Sequence, residues 1–161
     1  KVVETASEYG ASVEAELGVV GGNEGGGKAH TIQCTDPGLA DDFCKRTGID
    51  ALAVAIGNAH GNYPVAPELR LDILKVIDEN CDTPLVLHGG SGLSDDDFKN
   101  TIAGGISKVN IFTDINCAAS NAAFENYQKG CGITDLIPHM IEAIKIETEK
   151  KMKLFGSCNR V

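Results

Sequence analysis

Apolar positions in this chain fall into short runs separated by longer stretches at helical spacing. In residues 12–17 (SVEAEL), Val13, Ala15 and Leu17 alternate with Glu14 and Glu16, the period-two pattern of a strand with two carboxylates on one face. Residues 50–56 (DALAVAI), 83–87 (TPLVL) and 107–112 (SKVNIF) are near-continuous aliphatic or β-branched runs. Such runs suit strands covered on both faces, as parallel strands are.

The segments between them read as helices. Asp36 is placed to cap residues 37–47, with Pro37 at the first position and Gly48 just past the end. Residues 67–79 carry Leu71, Leu74 and Ile77 at helical spacing, and Ser94 caps residues 95–103 three positions before Asp97. Two longer helices are predicted at 116–129 and 135–154, and the chain opens in the helical stretch VVETASEYG. The order β-α-β-α-β-α-β-α, without a second composition regime, predicts a parallel α/β fold. Four βα units can be completed in two ways. A small doubly wound sheet stands alone at 161 residues, whereas a (β/α)8 barrel needs roughly 250, of which this would be the second half. Length favours the first; the residues at the strand ends favour the second.

Charge removes some partners. Fourteen Lys and Arg against 23 Asp and Glu give a net charge of -9, opposite to the basic surface that displaces counterions from nucleic acid. No apolar run reaches the roughly 18 residues of a membrane span, and no signal peptide is expected. The six cysteines contain no C-x-x-C pair, so neither a zinc knuckle nor a disulfide scaffold is predicted, and a reducing cytoplasm fits. Glycine is in excess: 19 residues, where an average usage of about 7% gives about eleven. Six of them, Gly18, Gly21, Gly22, Gly25, Gly26 and Gly27, fall in the loop after the first run, the composition of a mobile active-site lid whose one carboxylate is Glu24.

Three runs lead directly into polar residues. The second ends in GNAHGNY with His60 and Gly61, the third in LHGGSG with His88, Gly89, Gly90 and Ser91, and the fourth in NIFTD with Asn110, Ile111, Phe112 and Thr113. Parallel strands place their C-terminal ends on one side, so these residues converge. Two imidazoles at matching strand ends, each followed by glycine, suit zinc or a similar metal. Backbone N–H groups of the GGSG turn, with the Ser91 and Thr113 hydroxyls near helix starts, suit an anion. His30, in the glycine loop, and His139, at a polar helix start, read as solvated.

Taken together, VEAELGVVGGNE (residues 13–24), TDP (35–37), ALAVAIGNAHGNY (51–63), PLVLHGGSGL (84–93) and KVNIFTDI (108–115) resemble the class II, metal-dependent ketose-bisphosphate aldolases, with the likeness running from Lys1 to KLFGS (153–157). The resemblance implies a (β/α)8 TIM barrel, of which residues 1–161 supply about the C-terminal four βα units plus terminal helices. It implies reversible cleavage of fructose or tagatose 1,6-bisphosphate to dihydroxyacetone phosphate and glyceraldehyde 3-phosphate. It matches His60 and His88 to two of three zinc-ligating histidines and Glu24 to a mobile-loop glutamate that transfers protons. Gly61, Gly89, Gly90, Ser91, Asn110, Ile111, Phe112 and Thr113 match positions that bind dihydroxyacetone phosphate, and Glu16 matches a carboxylate near the metal. Many members hold a monovalent cation, sodium or potassium, beside the phosphate, and members are usually dimers or tetramers.

Two departures shape the expectation. The family's proton-abstracting Asp and third zinc histidine lie in a D-H pair, and this sequence has none. NIFTD also replaces the commoner NVATE-like form, keeping Thr113 but substituting Phe112 and Asp114. The chain is therefore expected to be the C-terminal portion of an aldolase, inactive and aggregation-prone alone. The alternatives are a non-catalytic aldolase-like subunit and a stand-alone phosphate-binding α/β domain.

Overall fold

The computed structural model describes residues 1–22, 32–61 and 67–158. Four strands, β1 (Glu14–Leu17), β3 (Ala51–Val54), β5 (Leu85–Leu87) and β6 (Ile106–Val109), form an all-parallel sheet in chain order. That order has no reversal, whereas a doubly wound sheet reverses at its switch point. A second, two-stranded parallel sheet joins β2 (Gly21–Gly22) to β4 (Ala59–His60). Leu52, Ala53 and Val54 on β3, and Val86 and Leu87 on β5, are 0% exposed, as the continuous apolar runs predicted for central parallel strands.

The fourth run departs from that expectation. The strand ends at Val109, and its middle residues Ser107 and Lys108 are exposed. A register shift between Leu85 and Val86 lets Ile106 pair with Leu85 and Lys108 with Val86, leaving Ser107 as the extra residue. Phe112 is 65% exposed and precedes a helix rather than closing a strand.

Helix ends follow their caps. The Asp36 carboxylate accepts from Gly38 N at 2.9 Å to start α2 (Pro37–Thr47), and Gly48, at φ 70°, ends it by donating to Cys44 O. Ser94 starts α4 (Asp95–Ala103) with a reciprocal box: its hydroxyl accepts from Asp97 N at 3.1 Å, and its own N–H donates to Asp97 at 3.0 Å. The helix α3 runs Leu71–Asn80, starting four residues later than its spacing suggested. The reason is at Arg70, whose N–H donates to Ile56 O at 2.7 Å and ties the preceding residues to the end of β3. Leu74 and Ile77 of α3 and Phe98 of α4 are fully buried. The opening helix, α1, spans Val2–Glu8.

The chain divides into two compact units, Lys1–Asn110 and Ile111–Val161. The second contains α5 (Thr113–Asn126) and α6 (Ile133–Leu154), each beginning a few residues before its predicted start. Gly132 N donates to Asp135 at 2.8 Å to start α6. Lys151 of α6 is only 8% exposed and places its ammonium 2.6 Å from the Asp114 carboxylate, fastening α6 to the first turn of α5. Among the described residues no helix is long and apolar enough to cross a membrane.

Candidate active site

In-register neighbours of a parallel sheet point the same way, so the pairings define one face. Glu16 pairs with Ala53, Ala53 with Val86, and Val86 with Lys108. Glu14 and His88 lie two residues from this row and share its face. The side chains meet there. His88 Nε2 is 2.8 Å from Glu14 Oε1, His88 Nδ1 is 3.0 Å from Glu16 Oε2, and Lys108 Nζ donates to Glu14 Oε2 at 2.8 Å. The small Ala51 and Ala53 on the intervening strand leave the gap through which Glu14 and Glu16 reach His88.

The Lys108–Glu14 bridge also reports the sheet's shape. Strands β1 and β6 are three spacings apart, about 14 Å in a flat sheet, and side chains stand roughly perpendicular to it. A 2.8 Å contact between them fits a sheet that curls around this polar face, as a barrel wall does. Burial pushes the Glu14 carboxyl up, but the hydrogen bonds and charges of Lys108 and His88 together outweigh it and hold the group below its ordinary value.

Beyond the strand tips, His60 on β4 faces Gly22 of β2 in register, and its ring centre lies 6.0 Å from that of His88. Two buried polar side chains hold these tips together. Asn58, 0% exposed, accepts from Ile56 N at 2.7 Å through Oδ1 and donates to His88 O at 2.8 Å through Nδ2. Thr35 donates to Leu17 O and accepts from Ala55 N at 2.9 Å, stitching the end of β1 to the end of β3. Gly89, at φ +61°, brings the backbone after His88 so close to residue 59 that an added Cβ would sit 2.2 Å from Ala59 O.

The donors present suit zinc as part of a ligand set. With zinc–nitrogen bonds of about 2.0–2.1 Å, each imidazole centre lies about 3.2 Å from a shared ion, so two such rings are at most about 6.4 Å apart. At a tetrahedral angle the two centres would be about 5.2 Å apart, so from the observed 6.0 Å the rings close by under about 1 Å to share an ion. One of the two carboxylates beside His88 has to give way for its nitrogen to bind a metal. Among the described residues no group of three or more His, Cys, Asp or Glu is gathered to hold a metal ion.

The other predicted residues divide between the two units. Gly61, Gly89, Gly90 and Ser91 follow the His60 and His88 strand tips, with Gly89, Gly90 and Ser91 buried. Asn110 donates its N–H to Leu87 O at 2.9 Å, which places it at the end of β5. Ile111, Phe112 and Thr113 belong to the second unit, Phe112 as the residue that precedes α5 and Thr113 as its first. Glu24 and His30 lie outside the described residues, and His139 is exposed as expected.

Three residues joined to this cluster escaped the sequence reading as site members: Asn58, Glu14 and Lys108. Alternation in SVEAEL put Glu14 and Glu16 on one face, but not which face. Nothing local distinguished Asn58 from an ordinary loop residue. Replacing Asn58 with alanine leaves Ile56 N–H and His88 C=O without their partner, and is expected to lower the unfolding free energy by about 2 kcal/mol in urea denaturation.

The family described as "Fructose-bisphosphate aldolase class-II" matches residues 1–160. The fructose-bisphosphate aldolase of Staphylococcus aureus is 39% identical over 163 residues, covering 99% of this chain and 57% of that protein. The D-tagatose-1,6-bisphosphate aldolase subunit GatY of Klebsiella oxytoca is 48% identical over 123 residues, covering 75% of this chain and 43% of that protein. The crystal structure of the YdjI aldolase from Escherichia coli K12 superposes with a TM-score of 0.83 at 40% identity, over 98% of this chain and 54% of that one. The chain belongs to the class II fructose-bisphosphate aldolase family and has the mixed α/β, parallel-sheet architecture of part of a TIM barrel. It spans about half the length of the curated relatives it matches.

Proposed function

We propose that the protein carrying this chain cleaves a ketose 1,6-bisphosphate, fructose or tagatose, reversibly to dihydroxyacetone phosphate and glyceraldehyde 3-phosphate. The observation that carries this reading is the convergence of His60 and His88, ring centres 6.0 Å apart, at the C-terminal ends of parallel strands in a chain of this family. Zinc held by His60 and His88 with a third ligand would supply Lewis acidity, polarising the substrate carbonyl and stabilising the negative charge that develops on its oxygen.

The chain's own residues do the rest. One of Glu14 and Glu16 orients the His88 ring while the other yields its nitrogen to the metal, and Lys108 holds Glu14 in place. The family resemblance assigns binding of the dihydroxyacetone phosphate portion to Gly61, the Gly89–Ser91 turn and residues 110–113, the glycine turn offering backbone N–H groups to phosphate. A sodium or potassium ion beside that phosphate belongs to the same reading. Glu24 transfers the proton from its glycine-rich loop. The polar face of Glu14, Glu16 and Lys108 is the inner layer of a barrel, so the remaining strands come from further polypeptide. The family resemblance adds that the assembled enzyme is a dimer or tetramer. A reducing cytoplasm suits it and its six free thiols.

The test is a cleavage assay on both bisphosphates with zinc supplied. It is run on the chain alone and on the chain combined with the part of a full-length relative that it does not cover. The expected result is no turnover alone and zinc-dependent triose phosphate release from the combination. A stable, zinc-loaded combination that cleaves neither sugar would overturn the reading, and robust cleavage by the chain alone would overturn its incompleteness.

A further inference from the structure

Away from the histidine cluster, two thiols meet beneath the helices. Cys44 is one of two buried residues on α2, and Cys81 is the residue that ends α3. They are 5% and 7% exposed, and the Cys81 thiol donates to Cys44 Sγ at 3.6 Å. We propose that this pair is a dithiol modification site, closed by peroxide to a disulfide that ties α2 to the end of α3.

The geometry favours this pair over the remaining cysteines. Two sulfurs at 3.6 Å are already in contact, and a disulfide of about 2.05 Å needs a further approach of about 1.5 Å. Burial, joined by the neighbouring Cys81 and Asp41, pushes the Cys44 thiol up against a hydrogen bond from Thr83 that lowers it, so Cys44 rests as a thiol. Once one sulfur is oxidised, its partner is at hand before a second oxidant arrives.

The step balances with hydrogen peroxide as the oxidant. One thiol loses its proton, and its sulfur attacks a peroxide oxygen. The O–O bond breaks, giving a sulfenic acid, and the departing hydroxide takes up the proton as water. The second thiol then attacks the sulfenic sulfur; the S–S bond forms, the S–O bond breaks, and the hydroxyl leaves with that thiol's proton as a second water. Both sulfurs are oxidised and peroxide is reduced. The bridge encloses β3, Asn58 and His60, so it fastens the segment that carries one of the two histidines.

The protein is treated with hydrogen peroxide under native conditions, its remaining thiols are blocked with N-ethylmaleimide, and the digest is mapped by mass. The expected result is loss of the maleimide adducts at Cys44 and Cys81 and appearance of one peptide pair joining them, lighter by two hydrogens and reversed by dithiothreitol. Exposed Cys117 serves as the internal control for oxidant exposure. Recovery of Cys44 and Cys81 as adducts when Cys117 is oxidised would overturn the proposal, as would either one crosslinked to a different cysteine. The wild-type protein suffices, so no outcome depends on a variant that fails to fold.

Discussion

Replacing His88 with alanine is expected to abolish zinc retention and to lower aldol cleavage by about 10³-fold or more in the assembled enzyme. Lewis-acid stabilisation of a developing oxyanion is worth several kcal/mol, and each 1.36 kcal/mol is tenfold in rate. His88 is also the centre of the polar face. Its two ring nitrogens hold Glu14 and Glu16, and its carbonyl holds Asn58. The alanine variant keeps the carbonyl and so keeps the Asn58 bond, but it leaves the Glu14 and Glu16 carboxylates without the imidazole between them, with Lys108 still paired to Glu14. The fold is therefore expected to persist, with its circular dichroism unchanged, while metal and rate are lost together. Zinc stoichiometry by native mass spectrometry and kcat/KM on both bisphosphates are the measurements. One zinc per chain with cleavage within tenfold of the parent would remove His88 from the metal site.

Much of this arrangement was legible because local signals and tertiary packing agreed. Asp36 and Ser94 occupy the caps their spacing predicted, and the β3 and β5 runs are buried as continuous apolar strands should be. The errors lie where a contact across the fold decides the outcome. Helix α3 starts at Leu71 because Arg70 N–H is spoken for by Ile56 O, a bond no helical periodicity reveals. The run SKVNIF reads as a near-continuous aliphatic strand, yet a one-residue bulge turns Lys108 to the polar face and the strand ends at Val109. The β2–β4 pair is two residues long, and two glycines facing Ala59 and His60 carry no alternating pattern to read. His60 and His88 were legible from position alone, each at the end of an apolar run. Lys108 was not, because its partner Glu14 is three strands away and only the sheet's curvature brings them together.

Backbone also approaches backbone closely at the strand tips, and Gly89, like Gly22, stands at positive φ where an added Cβ would run into it. Gly89→Ala is expected to destabilise the fold by about 2–5 kcal/mol and to lower activity of the assembled enzyme at least about 100-fold. Two costs combine. A left-handed φ of +61° strains any residue with a Cβ by about 1–2 kcal/mol. The added Cβ would also sit 2.2 Å from Ala59 O and 2.4 Å from Ala59 C, and a backbone carbonyl cannot rotate aside as a side chain can. The chain must shift by roughly 1 Å, overpacking that typically costs a further 1–3 kcal/mol. The same shift separates the His60 segment from the His88 segment, and a misplacement of that size costs about 100-fold in rate. Gly10→Ala separates the two terms. Gly10 has φ +64°, but its Cβ would meet nothing within 4 Å, so it carries the strain without the clash. Urea denaturation is expected to show Gly10→Ala losing about 1–2 kcal/mol with zinc binding intact, and Gly89→Ala losing about 1–3 kcal/mol more than that with zinc binding impaired. Equal losses in the two variants would mean that backbone strain alone sets the cost, and that residues 59–60 yield freely to a side chain at position 89.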